Sequence, residues 1–415
     1  MLEPTRAAAL ARLADFVPRA GRDYRSTRNE DRGPEDRRNV SMLAPYVRAR
    51  LVTEDEVLRA TLARHSYTAS EKFVQEVLWR TYWKGWLESR PGVWRQYRHD
   101  RDAAYARLAA LGAPHDVVLA RRLDDATHGR TGNHAFDAWS RELIETNYLH
   151  NHARMWFASI WIFTLQLPWE LGADFFMRHL LCGDPASNTL SWRWVAGLQT
   201  KGKTYVATRE NIRRYTDGRL DPGPHLATAA PALVGETVAP AAIPILDLAP
   251  GDDEPAMLVL HDDDAGVESL PLERAAIRTS IALFAVDGRS SQRVADPVRA
   301  FARGALADAL TRAPHGDPQA IFATARDDAQ AVAARLVAHA RAHAVTRVVV
   351  PYAPVGAVRD ALVEIVPHVE SAGLRVREIG RTFDATVWPF ATRGFFNLKD
   401  KIPKLLAELG IDGAR

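Results

Sequence analysis

The chain has 415 residues, of which 47% are hydrophobic and 25% charged; this suits a soluble globular protein of two domains and excludes a disordered or fibrous one. Its single cysteine, Cys182, rules out internal disulfides and cysteine-held iron–sulfur or zinc centres. The formal charge of +3 hides an asymmetry, because residues 1–220 carry 34 Lys+Arg against 26 Asp+Glu, which leaves the remainder acidic.

In chain order, the first half predicts helices. Arg6 to Val17, His134 to Thr146 and Ala153 to Leu165 run without internal Pro or Gly, and Glu71 to Glu88 without Pro. The stretch from Met155 to Leu165 is apolar on nearly every face, which predicts a helix enclosed by others. No apolar run reaches the roughly 18 residues that cross a bilayer, and Met1 to Ala20 mixes arginines with acidic residues, so the expectation is a cytoplasmic protein without a membrane partner. A basic helical half is a candidate phosphate-binding surface, although a solvated Arg-rich face accounts for the charge equally well.

Seven prolines between Asp221 and Pro255 predict an extended linker. Beyond it, short apolar strands (Met257 to Leu260, Ile281 to Val286, Arg347 to Val350, Leu374 to Ile379) alternate with helices such as Asp327 to Ala342. That pattern predicts βαβ units in a parallel, Rossmann-like sheet. The expected organisation is therefore an all-helical domain over 1–220, a linker over 221–255 and an α/β domain over 256–415. The run His261-Asp-Asp-Asp264 after the first strand reads as a solvated loop, with a cation site as the less favoured alternative.

Four segments carry a resemblance. Thr131-Gly-Asn-His-Ala-Phe-Asp137 precedes Glu145-Thr-Asn-Tyr-Leu-His-Asn-His-Ala-Arg-Met155. Asp174-Phe-Phe-Met-Arg-His-Leu180 precedes Gly183-Asp-Pro-Ala-Ser-Asn-Thr-Leu-Ser-Trp-Arg-Trp194. In residues and spacing they resemble the flavin core of the photolyase/cryptochrome family. Tyr24, Ser41 to Tyr46 and Phe73 to Arg80 resemble, more loosely, the family's phosphate-binding segment and the helix that faces flavin and DNA lesion. The family places its α/β antenna domain first, so this chain resembles a circular permutation of it, a rearrangement that neighbouring termini permit. An unrelated nucleotide-binding α/β domain is the alternative for the second half.

The resemblance implies an FAD cofactor. The matching positions are Tyr24, Ser41, Leu43, Phe73, Trp79, Arg80, Asn151, Arg154, Cys182, Asp184 and Asn188, with Asn188 facing flavin N5 and Arg154 supplying positive charge for a reduced flavin. Two of three hydroxyls in the family's phosphate segment are replaced by Val40 and Ala44, which leaves Arg37, Arg38 or backbone amides to compensate. Glu76, Trp79, Met155 and Trp194 match the family's lesion contacts, and stacking indoles with a carboxylate suit a flipped-out pyrimidine dimer. Each of these large apolar residues would serve equally as helix packing. Trp192 and Trp169 match the first two members of an electron-hopping chain; the third is missing between Val117 and Arg130, which leaves Tyr148, Trp156 or Trp161 as substitutes. Cys182 stands where the family has the aspartate that pairs with Arg154, and loss of such a counter-ion costs about 3 to 5 kcal/mol unless another group takes it over. His134, His150 and His152 show no metal-ligand spacing.

The implied activity is a light-driven carbon–carbon lyase acting on DNA with pyrimidine dimers, with Trp192, Trp169, Asn188 and Glu76 as its catalytic set. The alternatives are a cryptochrome-like blue-light sensor without repair activity and a flavin oxidoreductase. A second antenna chromophore of folate or deazaflavin type belongs to what the resemblance admits, and oligomeric state is not legible.

Overall fold

The helices of the first half follow from their caps and apolar spacing. In the computed structural model, which describes residues 2–324 and 328–411, they are α1 (Arg6–Phe16), α2 (Arg22–Thr27), α3 (Ala44–Arg48), α4 (Glu54–Leu62), α5 (Tyr67–Glu88), α6 (Pro91–Ala110), α7 (Pro114–Thr127), α8 (His134–Thr146), α9 (Asn151–Ser159), α10 (Trp169–His179), α11 (Pro185–Val195) and α12 (Arg209–Tyr215). Thr53 and Glu56 form a reciprocal capping box on α4, and Ser66 caps α5 through the Ala69 amide. The enclosed helix predicted after Met155 is there, but its second half is a π-helix over Ile160–Thr164. Trp139, Phe136, Trp156, Phe157 and Trp161 are fully buried around it and form the helical core.

The second half is a five-stranded parallel sheet of β1 (Ala256–His261), β2 (Ile277–Phe284), β3 (Gly316–Ala323), β4 (Arg347–Pro351) and β5 (Arg375–Ile379), in the order β3-β2-β1-β4-β5. Between the strands run α13 (Asp296–Arg312), α14 (Ala329–Ala342) and α15 (Ala357–Ser371). The expected strands are all present; β3 was missed. Its first four residues alternate between half-buried and exposed and include Pro318, and only Ala320 is buried, so this edge strand lacks the apolar run that marks its neighbours. The helix expected to begin at Asp327 begins at Ala329 among the described residues, and Asp327 itself lies outside them.

Alternation along β1 sends its side chains to two cores. Met257 and Val259 pack with α14 and α15, whereas Ala256, Leu258 and Leu260 pack with α13 and with Leu13, Phe16, Tyr46 and Val47 of the helical half. The sheet is thus covered on one face partly by helices from the other half. Residues between α12 and β1 form no regular element and lie extended along the surface: the Leu233 amide donates to the Ala196 carbonyl (3.0 Å) and the Asp247 carbonyl accepts from the Gly380 amide (2.7 Å).

After β5 the chain returns to the helical half as α16 (Thr382–Val387), α17 (Phe395–Lys399) and α18 (Ile402–Glu408). This segment runs antiparallel to α5. Trp388 and Ala391 contact Gly85, the Arg393 carbonyl accepts from the Tyr82 hydroxyl at 2.7 Å, Phe395 stacks on Trp79, and Lys399 lies 3.7 Å from Glu71. Phe383, Val387, Leu398, Ile402, Leu405 and Leu406 complete the helical core.

The acidic run after β1 is neither solvated nor a cation site. Asp262 and Asp264 are 2% and 1% exposed. Asp263 lies 2.5 Å from Arg48, and Asp264 lies 3.0 Å from Arg50 and 2.6 Å from Arg381, while Arg50 also pairs with Asp384. Although burial works against ionisation, Arg381 and Arg50 hold Asp264 well below the ordinary carboxylate range. The sequence reading failed here because the partners Arg48, Arg50 and Arg381 are remote in the chain.

Candidate functional site

Helical periodicity places Phe73, Glu76, Arg80 and Lys84 along one stripe of α5, with Trp79 beside them. A second wall comes from α9, which begins at Asn151 under a His150 cap, and carries Arg154 and Met155. The third is the turn Cys182-Gly183-Asp184 with α11. Asp184 caps α11 by accepting from the Ser187 amide at 2.7 Å, and Pro185 starts the helix where its missing N–H costs nothing. A Cβ at Gly183 would meet the Leu180 and Met177 carbonyls at 3.1 Å and Arg289 at 3.4 Å, so the turn leaves little room for a side chain.

Asn188 projects from α11 with its amide nitrogen donating to the Ala173 carbonyl at 2.8 Å, which fixes the amide plane. Arg80 Nη1 is buried without a hydrogen-bond partner and lies 3.5 Å from Asp184 Oδ2. Burial works to raise the Asp184 pKa, but Arg80 and Lys84 prevail and hold it below its ordinary value. Arg154 Nε donates to the Leu149 carbonyl (3.0 Å) and Nη2 approaches Cys182 Sγ at 3.3 Å. The thiol and a carbonyl therefore stand where the family has a carboxylate. Arg80 and Lys84 beside Asp184, the unsatisfied buried donor of Arg80 and the guanidinium of Arg154, which has no carboxylate partner among the described residues, fit an anionic dinucleotide.

Glu76 is paired with Arg28 at 2.6 Å, a residue that the motif spacing did not single out. Its surroundings raise its pKa, chiefly through burial, although 30% of the side chain is open to solvent; such a carboxyl lines a cleft. Tyr24 packs edge-on to Phe73 (5.1 Å), and burial, reinforced by Glu76, pushes its hydroxyl well above the ordinary tyrosine value. Trp79, Arg80, Arg154, Met155 and Trp194 are all half-buried, Leu43, Phe73 and Cys182 are buried, and Asn151 is exposed. Trp194 stacks on Tyr205 at 5.8 Å, and among the described residues no ring contact joins it to Trp79.

At the segment resembling a phosphate site, Ser41 Oγ accepts from the Leu43 amide at 3.3 Å, and Met42 takes a left-handed φ of 56°. Arg37 and Arg38 do not stand in for the missing hydroxyls. Arg37 is bound to Glu142 and lies over the Tyr148 ring at 4.3 Å, while Arg38 is bound to Asp36 at 2.9 Å on the surface.

The buried tryptophans have neighbours that spacing did not reveal. Trp192 meets Trp161 at 6.1 Å, and Gly172 allows the approach, since a Cβ there would lie 2.3 Å from Trp192 Cη2. Trp169 instead meets Tyr97 at 5.7 Å, and Tyr97 meets Trp94 at 5.4 Å. Among the three substitutes considered, Trp161 is the one in ring contact with Trp192. His150 caps α9, and His152 stacks on Trp156 at 4.0 Å with a pKa lowered by burial, so both histidines have structural duties.

The carboxyl ends of β1 and β4 flank the point where strand order reverses, the usual ligand crevice of a doubly wound sheet. Here Arg48, Lys84, Asp184, Pro185, Asp263 and Val355 enclose about 10 Å³, the space of a single water molecule. These residues do not fit a second chromophore in that crevice.

Fold and site together define a helical cofactor-type domain joined to a doubly wound α/β domain. Residues 73–218 match the family model described as the FAD binding domain of DNA photolyase, and in this stretch the chain is similar to the photolyase/cryptochrome family. The deoxyribodipyrimidine photo-lyase of a Synechococcus species is 29% identical over 242 residues, covering 52% of this chain and 46% of that protein. That of a Thermus thermophilus strain is 32% identical over 209 residues, covering 49% and 45%. A class III photolyase structure from Agrobacterium tumefaciens aligns at 26% identity and a TM-score of 0.42, covering 52% of this chain and 42% of that one. This chain thus spans less than half the length of the curated relatives it matches. No described helix is long and apolar enough to cross a membrane.

Proposed function

We propose that this protein binds FAD between α5, α9 and α11 and acts as a light-driven lyase on pyrimidine dimers in DNA, working in the cytoplasm. The observation that carries the reading is the pairing of buried Arg80 with Asp184 beside the fixed amide of Asn188, with Arg154 held against Cys182 at the other end of the same turn, inside the stretch that matches the photolyase FAD-binding model. FAD bound there would supply the one-electron chemistry that light initiates. Asp184 and Asn188 would orient its polar edge, Arg154 and Arg80 would favour its anionic form, and Ser41, Leu43 and Tyr24 would hold its phosphates. Phe73, Asn151 and Cys182 would line the remaining wall. Glu76 and the indoles of Trp79 and Trp194, with Met155, would receive an extruded dimer. Trp192, in contact with Trp161, would be the first relay for photoreduction, and Trp169 with Tyr97 a second aromatic branch.

The domain order supports a circular permutation: the segment after β5 packs into the helical core although it is encoded last. The test is illumination of flavin-loaded, chemically reduced protein with a dimer-containing oligonucleotide. Loss of dimers is expected, and intact dimers would overturn the lyase reading. A blue-light sensor is the second reading, favoured by the thiol that replaces a carboxylate beside Arg154; a light-dependent flavin spectrum with intact dimers would establish it in place of the lyase.

A further inference from the structure

We propose that residues 388–404 form an additional nucleic-acid contact surface, with Phe396 as an aromatic platform for a base neighbouring the one received by Trp79. The proposal rests on the reading of the cleft as a DNA-damage site. Phe395 stacks on the Trp79 indole with ring centroids 3.6 Å apart and an interplanar angle of 12°, which locks this segment to the edge of the cleft. The adjacent residue, Phe396, points the other way. It is 76% exposed and is the one aromatic among the exposed large hydrophobic residues described. Single exposed apolar residues are common, so exposure alone means little; its surroundings are what distinguish it.

Residues 388–404 hold Arg393, Lys399, Lys401 and Lys404 against one acid, Asp400. Arg393 and Lys401 are exposed and have no ion-pair partner among the described residues, and Lys399 and Lys404 have only partners at 3.7 and 3.5 Å. An exposed ring flanked by unpaired cations suits a nucleotide strand: the cations meet phosphate oxygens and the ring meets a base face. A protein partner would not need such an excess of one sign. The segment is firm enough for the task, because Phe395, Leu398, Ile402 and Leu405 anchor it in the helical core on the opposite side.

A base left unstacked when its neighbour is extruded loses contact on one side, and an aromatic at the cleft edge can replace that contact. Binding of a dimer-containing duplex, with 2-aminopurine beside the dimer, would be followed by anisotropy and by base fluorescence in the flavin-loaded protein. Phe396→Ala should weaken binding about tenfold and alter the 2-aminopurine signal, and Phe396→Trp should restore both. The double variant Arg393→Ala with Lys401→Ala should lower the slope of log affinity against log salt by about 2. Flavin absorbance and melting temperature should remain unchanged in all three. If the parent protein binds the damaged duplex but these variants match it within twofold and with the same salt slope, this surface is disproved while the cleft reading survives. If the parent protein does not discriminate damaged from undamaged duplex, both fall.

Discussion

The two halves use buried charge in opposite ways. At the carboxyl ends of β1 and β4, every strongly buried carboxylate of the Asp262–Asp264 run faces an arginine, Glu88 accepts from the Tyr352 hydroxyl and the Val355 amide at 2.6 Å each, and the space that remains is no larger than one water molecule. In the helical cleft, Arg80 lies 3.5 Å from Asp184 yet keeps an unsatisfied donor, Arg154 meets a thiol instead of a carboxylate, and most of the walls are half-open. The crevice is closed and neutralised where the halves join; the cleft is half-open, and Asp184 and Lys84 stand between the two. One residue departs from this division: Arg289, 1% exposed with Nε and Nη1 unpartnered, whose pKa burial and the adjacent Arg48 lower to about 9.

The largest effect should come from breaking the closed side. Arg50→Met leaves Asp264 and Asp384 short of a buried partner, and should cost about 3 to 5 kcal/mol in denaturant unfolding, with the cleft residues unaltered. A loss below about 1 kcal/mol would show that the ion network is dispensable. Next, Gly172→Ala forces a methyl into Trp192 and should cost about 1 to 3 kcal/mol. It should also slow photoreduction if Trp192 is the first relay, and unchanged flavin reduction kinetics would remove Trp192 from that role. The smallest concerns Glu170 at the start of α10, whose pKa burial pushes up to about 7. A carboxyl with a raised folded-state pKa contributes stability that is fully present below its unfolded value, about 4.5, and is lost as pH rises through about 7. Glu170→Gln should therefore flatten the melting temperature between those limits and make the protein about 1 kcal/mol more stable at pH 8; an unchanged pH profile would contradict the shift.

Long periodic helices and buried strands were legible because local rules decide them: Ser66 caps α5, and the apolar runs of β1 and β4 mark strands buried on both faces. The cleft was legible as motif spacing around Asp184 and Asn188. What sequence could not supply is pairing across hundreds of residues. Arg28 on Glu76, Arg48 and Arg50 on the acidic run, and Phe395 on Trp79 all depend on how the two halves dock, and none leaves a local pattern. β3 failed for the reverse reason, as an edge strand with proline and only one of its eight residues buried carries too little apolar signal.

The return of the chain along α5 has a consequence for synthesis. Tyr82, Gly85 and Trp79 leave the ribosome early, yet the residues that cover them, Trp388, Phe395 and Leu405, are translated some three hundred residues later. At about 5 to 20 residues per second, that apolar flank stays uncovered for roughly 15 to 60 s. The helical domain, although encoded first, would be the last to close, and a chaperone that shields α5 during this interval should raise the yield of folded protein.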